Sequence, residues 1–211
     1  MKIGIIGSGT VARTLAAGFI AQGHEVRLGT RDPAQLSAFA AEHPKAHIGS
    51  PAEVAAFAEL AVLAVKGKAA AAVLRGLGGA LDGKTVIDTG NPLADAAPVD
   101  GVLQYFTGPN ESLLEQLQQE FPAVRFVKAF NSVGAPCMVQ PKLEGGPPTM
   151  FIAGNDAAAK AAVSGLLAEL GWGVADMGPA IAARAIEPLC MLWCIPGFQR
   201  NDWHHAFKLL A

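Results

Sequence analysis

This chain is poor in charge, in aromatics and in cysteine. Asp, Glu, Lys and Arg make up 16% of its 211 residues, the aromatics 7%, and there are three cysteines. Each shortage excludes something. Sixteen basic residues against eighteen acidic ones leave a net charge of −2 and no basic run, which speaks against nucleic-acid and anionic-membrane partners. Cys137, Cys190 and Cys194 cannot make a disulfide framework, so a reducing, cytoplasmic setting is expected. Cys190 and Cys194 stand one helical turn apart, but no matching Cys or His pair gives a zinc spacing. They read as core cysteines, and no metal site is expected. No apolar stretch approaches the length of a membrane-spanning helix. Met1 to Ala21 loosely imitates a signal peptide, but removing it would delete the first strand. What is plentiful is apolar residue, 51% of the chain. That suffices for one large domain, or one with an extension, built on strands covered on both faces.

The first thirty residues organise the rest. Lys2 to Ile6 is a short apolar strand, Arg13 to His24 reads as a helix, and Glu25 to Leu28 as a second strand. Between strand and helix stands Gly7-Ser8-Gly9-Thr10-Val11-Ala12, the G-x-G-x-x-A form of a dinucleotide fingerprint. Gly7 permits the turn, Gly9 lets a pyrophosphate approach the backbone, and Ala12 lets the helix pack closely on the strand. The free N–H groups of the first helical turn then face the phosphates. At the tip of the second strand an NAD-binding chain usually has Asp or Glu. Here it reads Gly29-Thr30-Arg31. Thr30 can donate to a 2′-phosphate and Arg31 can pair with it, so NADP is favoured. Asp32, followed by Pro33, reads instead as the cap of a helix running to about Glu42.

Strands and helices then alternate. Ser50-Pro51-Ala52-Glu53 is a capping box opening a helix to Phe57. Leu60–Val65, Lys84–Asp88 and Val124–Phe130 read as strands. An Ala-rich helix to about Leu77 and a helix over Ser112–Phe121 lie between them. The βαβ repetition predicts an α/β, Rossmann-type, doubly wound and mainly parallel sheet over residues 1–133. Residues 134–211 read as a small C-terminal β/α extension that completes the sheet and covers the acceptor site. It has strands at Thr149–Gly154 and Gly173–Met177 and a helix between them capped by Asn155-Asp156. A long helix from about Ala180 is expected to break at Pro196-Gly197, before a short terminal helix over Asp202–Leu210.

Ligands of such sheets bind beyond the carboxyl ends of the strands. That gathers the fingerprint, Thr30 and Arg31, Val65 and Lys66, Asn91 and Pro92, and Ala129, Phe130 and Asn131. Lys66 can reach a phosphate or simply cap its strand. Asn91 and Asn131 can bond a carboxamide or ribose, or make Asx turns. No side chain stands out as a proton-transfer catalyst. His24, His43 and His47 read as surface residues, and His204 and His205, adjacent on the terminal helix, would face different ways. Hydride transfer to a carbonyl carbon normally involves a proton donor, whereas transfer to a flavin-like ring mainly needs two rings face to face.

Gly7–Ala12, Gly29-Thr30-Arg31, Asp88-Thr89-Gly90-Asn91-Pro92, Lys128-Ala129-Phe130-Asn131, Ala153-Gly154-Asn155-Asp156 and the late Ala183–Leu189 together resemble the coenzyme F420-dependent NADP oxidoreductase family. That family also includes the cytosolic domain of the Steap metalloreductases. The resemblance implies NADP in the crevice, Thr30 and Arg31 at its 2′-phosphate, and Ala129, Phe130 and Asn131 near the nicotinamide. It implies hydride transfer between NADPH and a deazaflavin (coenzyme F420) or flavin acceptor, with no side chain acting as acid or base, and commonly a homodimer. Lys66-Gly67-Lys68 departs from it, since Pro or an aromatic is expected after Val65. A small imine or carbonyl, or a metal chelate, remains an alternative acceptor, and a non-catalytic NADP-binding sensor an alternative role.

Overall fold

The computed structural model describes residues 1–210. The strands are β1 (Lys2–Ile6), β2 (Glu25–Gly29), β3 (His47–Gly49), β4 (Leu60–Leu63), β5 (Thr85–Asp88), β6 (Arg125–Lys128), β7 (Thr149–Ile152) and β8 (Gly173–Asp176). The helices are α1 (Thr10–Ala21), α2 (Ser37–Glu42), α3 (Pro51–Phe57), α4 (Gly67–Gly76), α5 (Leu113–Glu120), α6 (Ala157–Glu169), α7 (Ala183–Ile186) and α8 (Pro188–Arg200). The first six strands form one parallel sheet in the order β3-β2-β1-β4-β5-β6, the doubly wound order expected of the sequence. β1 lies at its centre, with Ile5 opposite Leu28 on one side and Val62 on the other.

Alternation along β1 divides the core. Ile3 and Ile5 pack with Leu15 and Phe19 of α1 and with Val163 and Leu167 of α6. Ile6 packs on the opposite face with Ala55 of α3, Leu74 of α4 and Leu114 of α5. Full burial of such side chains contributes about 1.5–3 kcal/mol each. The helix caps are local, and those at Ser50 and Asp156 are as expected. Ser50 Oγ accepts from Glu53 N–H while Glu53 Oε2 accepts from Ser50 N–H at 2.8 Å, and Ser112 and Asp156 cap α5 and α6.

Five expectations need correction. The strands of the extension do not complete the sheet: β7 and β8 pair only with each other, and a single antiparallel bridge, Lys128 with Ala153, ties them to β6. The segment after Asp32 is not one helix but a 3-10 turn, Pro33–Leu36, followed by α2, although Asp32 does accept from Ala34 N–H. Pro196-Gly197 does not break α8, which runs on to Arg200 and ends where Asn201 takes a left-handed φ of 54°. Gly197 serves contact instead, since a Cβ there would collide with the Trp203 ring. The segment over Asp202–Leu210 is not helical and has no regular secondary structure: Thr149 N–H donates to Phe207 O at 2.8 Å and Leu209 N–H to Thr149 Oγ1. Finally, because the helical turns continue through Glu187 and Pro196, Ala180–Arg200 is long and apolar enough, by length and composition alone, to cross a membrane. Its Glu187 and Arg184 are nonetheless paired inside this fold.

Candidate active site

The fingerprint turn is built as its spacing implies. Gly7 has a φ of +143° and its N–H donates to Gly29 O, which ties the turn to the tip of β2. A Cβ on Gly7 would collide with the Ala64 carbonyl. Gly9 is the opposite case, because a Cβ there would meet nothing within 4 Å. It is the N-cap of α1 with no side chain capping the helix, so the first N–H groups of α1 have no side-chain partner. Ala12 is fully buried against the sheet.

At the tip of β2 the two expected contacts separate. Thr30 is buried, its Oγ1 accepts from Asp32 N–H at 3.2 Å, and its hydroxyl turns toward Asp32 O. It organises its own turn. Arg31 is exposed and has no hydrogen-bond or ion-pair partner among the described residues. At the end of β4, Val65 is half-buried and Lys66 exposed. Gly67 has a steric reason, since a Cβ there would collide with the Asn91 carbonyl, but nothing in the structure explains Lys66 at the position before it.

Beyond β5 and β6 the loops interlock. Asn91 Nδ2 donates to Asn131 O at 2.8 Å, and Asn131 Nδ2 donates to Asn91 Oδ1 and to Ile186 O. Two acceptors facing Nδ2 fix the orientation of the Asn131 amide. Its Oδ1 is buried with no donor among the described residues, an orphaned acceptor beyond the ends of β5 and β6. Asn131 reaches this place through strain. Phe130, buried at the end of β6, has a φ of 62°, a conformation that costs a bulky residue about 1–3 kcal/mol. Its N–H donates to Met150 Sδ. Ala129 is fully buried beneath and Pro92 is buried beside it. Trp193 of α8 seals the far side, its ring lying so close to Gly134 that no side chain would fit there.

Under these loops lies a group that the sequence reading missed. Lys128, fully buried, donates to Asp88 Oδ2 at 2.5 Å, to Gly90 O at 2.8 Å, and pairs with Glu187 Oε1 at 2.8 Å. Asp88 Oδ1 accepts from Gly90 N–H, and Glu187 accepts from Leu113 and Leu114 N–H at the start of α5. Burial alone would lower Lys128, but the two carboxylates outweigh it and hold the ammonium above its ordinary range. A signal existed. Asp88 and Lys128 end two apolar strands that are neighbours in the sheet, and Glu187 interrupts an apolar stretch, so each charge needed a buried partner.

The other chemical candidates lie elsewhere. Cys190 is buried as expected of a core cysteine, but Cys194 is half-exposed. A hydrogen bond between the pair raises the Cys190 thiol, which burial raises further, and lowers Cys194. His205 is stacked 5.0 Å from Trp193 and its Nε2 bonds Trp193 O, so it holds down the tail, while His204 is exposed. Among the described residues no three His, Cys, Asp or Glu side chains are grouped to hold a metal ion.

A six-stranded doubly wound sheet with a glycine turn, an open helix N-terminus and, at the tip of β2, an arginine with no partner among the described residues is a dinucleotide-binding fold. Comparison with known proteins narrows this. Residues 2–92 match the family described as NADP oxidoreductase, coenzyme F420-dependent. An Arthrobacter sp. FB24 structure, assigned as an F420-dependent NADP reductase, is 38% identical, with a TM-score of 0.93 over 100% of both chains. The rat metalloreductase STEAP3 is 32% identical over 92% of this chain, which spans only 38% of its length. A reductive aminase from Aspergillus terreus, solved with NADPH and ethyl-5-oxohexanoate, shares the fold at 19% identity and a TM-score of 0.68, covering 95% of this chain and 62% of its own. The chain belongs to the coenzyme F420-dependent NADP oxidoreductase family and is an NADP-dependent oxidoreductase.

Proposed function

We propose that this chain moves a hydride between NADPH and a flat redox ring, either the deazaflavin coenzyme F420 or a flavin. The observation that carries this reading is how the charges at the strand ends consume one another. Asp88, Lys128 and Glu187 commit their polar atoms to each other and to backbone, and beyond β5 and β6 the groups left are the amides of Asn91 and Asn131. Carbonyl or imine reduction calls for a proton donor at the reacting atom, whereas ring-to-ring transfer calls mainly for alignment. The full-length likeness to the Arthrobacter protein supports the same acceptor class.

The residues present fit NADP. The open space over Gly9 and the uncapped first turn of α1 suit a pyrophosphate held by Gly7, Ser8, Gly9, Thr10, Val11 and Ala12. Unpaired Arg31 suits the 2′-phosphate, with Thr30 shaping the turn that carries it. The orphaned Asn131 Oδ1 suits a carboxamide N–H, with Asn91 fixing Asn131, and with Val65, Lys66, Pro92, Ala129 and Phe130 as surroundings. NADPH, when bound there, supplies the hydride. The chain's own residues hold the ring and leave its outer face to the acceptor.

The test follows the loss of NADPH absorbance with purified protein and a panel of coenzyme F420, FMN, FAD, riboflavin and ferric chelates. Selective turnover of F420 or one flavin is expected. Turnover confined to ferric chelates would overturn the ring acceptor and favour a second reading, metal reduction, which the 32% identity to the rat metalloreductase supports. Binding of NADPH without turnover on any acceptor would point to a sensor.

A further inference from the structure

We propose that the buried Asp88–Lys128–Glu187 triad is an electrostatic positioning element that biases the site toward the oxidised form of the cofactor. This rests on the reading of Asn91 and Asn131 as the nicotinamide subsite.

The charge state follows from counting donors. Lys128 has three N–H groups and three acceptors: Asp88 Oδ2, Glu187 Oε1 and Gly90 O. The carboxylates face donors only: Gly90 N–H and Lys128 at Asp88, and Leu113 N–H, Leu114 N–H and Lys128 at Glu187. No acceptor faces either carboxylate, so nothing calls for a proton on it. Two negative charges and one positive charge are therefore enclosed, with 0% of Lys128 and 1% of Asp88 and Glu187 exposed to solvent. The N-terminus of α5 offsets part of the uncompensated charge. The ion pair packed nearby, Arg184 with Glu115, is neutral as a unit.

Position gives this charge its target. Both backbone polar groups of Gly90 are held by the triad, and Asn91 follows directly. Asn131 stands three residues beyond Lys128 and donates to Ile186 O, the carbonyl preceding Glu187. The triad thus sits one residue from the structure that fixes each amide. The nicotinamide ring is positively charged in NADP⁺ and neutral in NADPH. A buried negative charge favours the first without touching it, because screening by water is lost there. The same bias strengthens bound NADPH as a hydride donor.

The experiment measures Kd for NADP⁺ and for NADPH separately, with folding of each variant followed by thermal unfolding. Glu187→Gln and Asp88→Asn each remove one negative charge from a different end of the triad. Each is expected to weaken NADP⁺ by about tenfold relative to NADPH, a ratio that a scaffold role would leave untouched. Equal weakening of both forms would reduce the triad to a scaffold and overturn the inference. Arg184→Gln guards against a folding failure, since it leaves the triad intact and frees the negative charge of Glu115. It should shift the ratio the other way, toward NADP⁺ and by a smaller factor, because that pair is partly exposed; a shift toward NADPH would overturn the inference. Arg31→Ala separates the two readings. Both cofactor forms carry the 2′-phosphate, so both should weaken equally. If neither weakens, the crevice reading fails and this inference falls with it.

Discussion

Two regions of this molecule treat polar groups in opposite ways. Along the fingerprint and the tip of β2, groups are left open: the first N–H groups of α1 lack a cap, Gly9 faces empty space and Arg31 has no partner among the described residues. Beneath the Asn91 and Asn131 loops, every donor of Lys128 and both carboxylates of its partners are paired with nothing to spare. The fold invests in both, to different ends. Open groups cost little at a surface and remain available to a ligand. Buried charges are tolerated only when fully paired, and then they fix the backbone around them. Asn131 Oδ1 marks the boundary, a buried acceptor left open in a place otherwise closed.

The strongest way to break the contrast is to open the closed region. Lys128→Met leaves Asp88 and Glu187 facing each other without their cation, and breaking a buried pair costs about 3–5 kcal/mol. Chemical denaturation of the variant should show a loss of that size; a loss under about 1 kcal/mol would mean that water already reaches the triad. Closing the open region should act on binding and spare the fold. Arg31→Ala is expected to cost about 1.5–3 kcal/mol of NADPH affinity, the value of a charged hydrogen bond, and to leave stability and NADH affinity unchanged. An equal loss for NADH would remove Arg31 from the 2′-phosphate. The two glycines sharpen the point within one turn. Gly7→Ala should destabilise the fold by about 1–3 kcal/mol through its positive φ and the Ala64 carbonyl. Gly9→Ala should cost under about 1 kcal/mol of stability and still weaken NADPH.

What was legible in the sequence follows the same division. The fingerprint, the Ser50–Glu53 box and the cap at Asp156 are settled within a few residues, so spacing reveals them. The strand order follows from repeated βα units and the handedness of their crossovers. Partnerships across the fold left weaker traces. Glu187 meets Lys128 only because α8 returns to the ends of β5 and β6. Phe130 adopts a left-handed conformation at a position with no glycine to announce it. Pro196-Gly197 reads locally as a helix break, but Gly197 is small because Trp203 lies on it. Thr30 is a polar residue at the expected tip, and only the structure turns it toward Asp32.

Arg184 and Glu115 lie between the two regimes and make the contrast titratable. The guanidinium grips both carboxylate oxygens, at distances from 2.7 to 3.1 Å, while 35% of the Arg184 side chain and 24% of the Glu115 side chain stay in solvent. Burial pushes the Glu115 carboxyl up, but hydrogen bonds from Arg184 and Ser112 outweigh it, and the group lies below its ordinary value of 4.5. A depressed acid stabilises the fold above its unfolded value and loses that contribution as pH falls through its folded one. The stability difference between the wild type and Arg184→Gln should therefore be flat above about pH 5 and shrink below it. Lys128 has the opposite sign. Its raised ammonium contributes fully below its ordinary value of 10.5 and loses that contribution only as pH rises through a still higher folded value. Denaturation curves up to mildly alkaline pH should thus show an unchanged contribution from the Lys128 ammonium, with the Arg184 difference fading at the acid edge. A difference that instead grew as pH fell would mean that Glu115 is destabilised by its surroundings and that the pair does not pin α7 to α5.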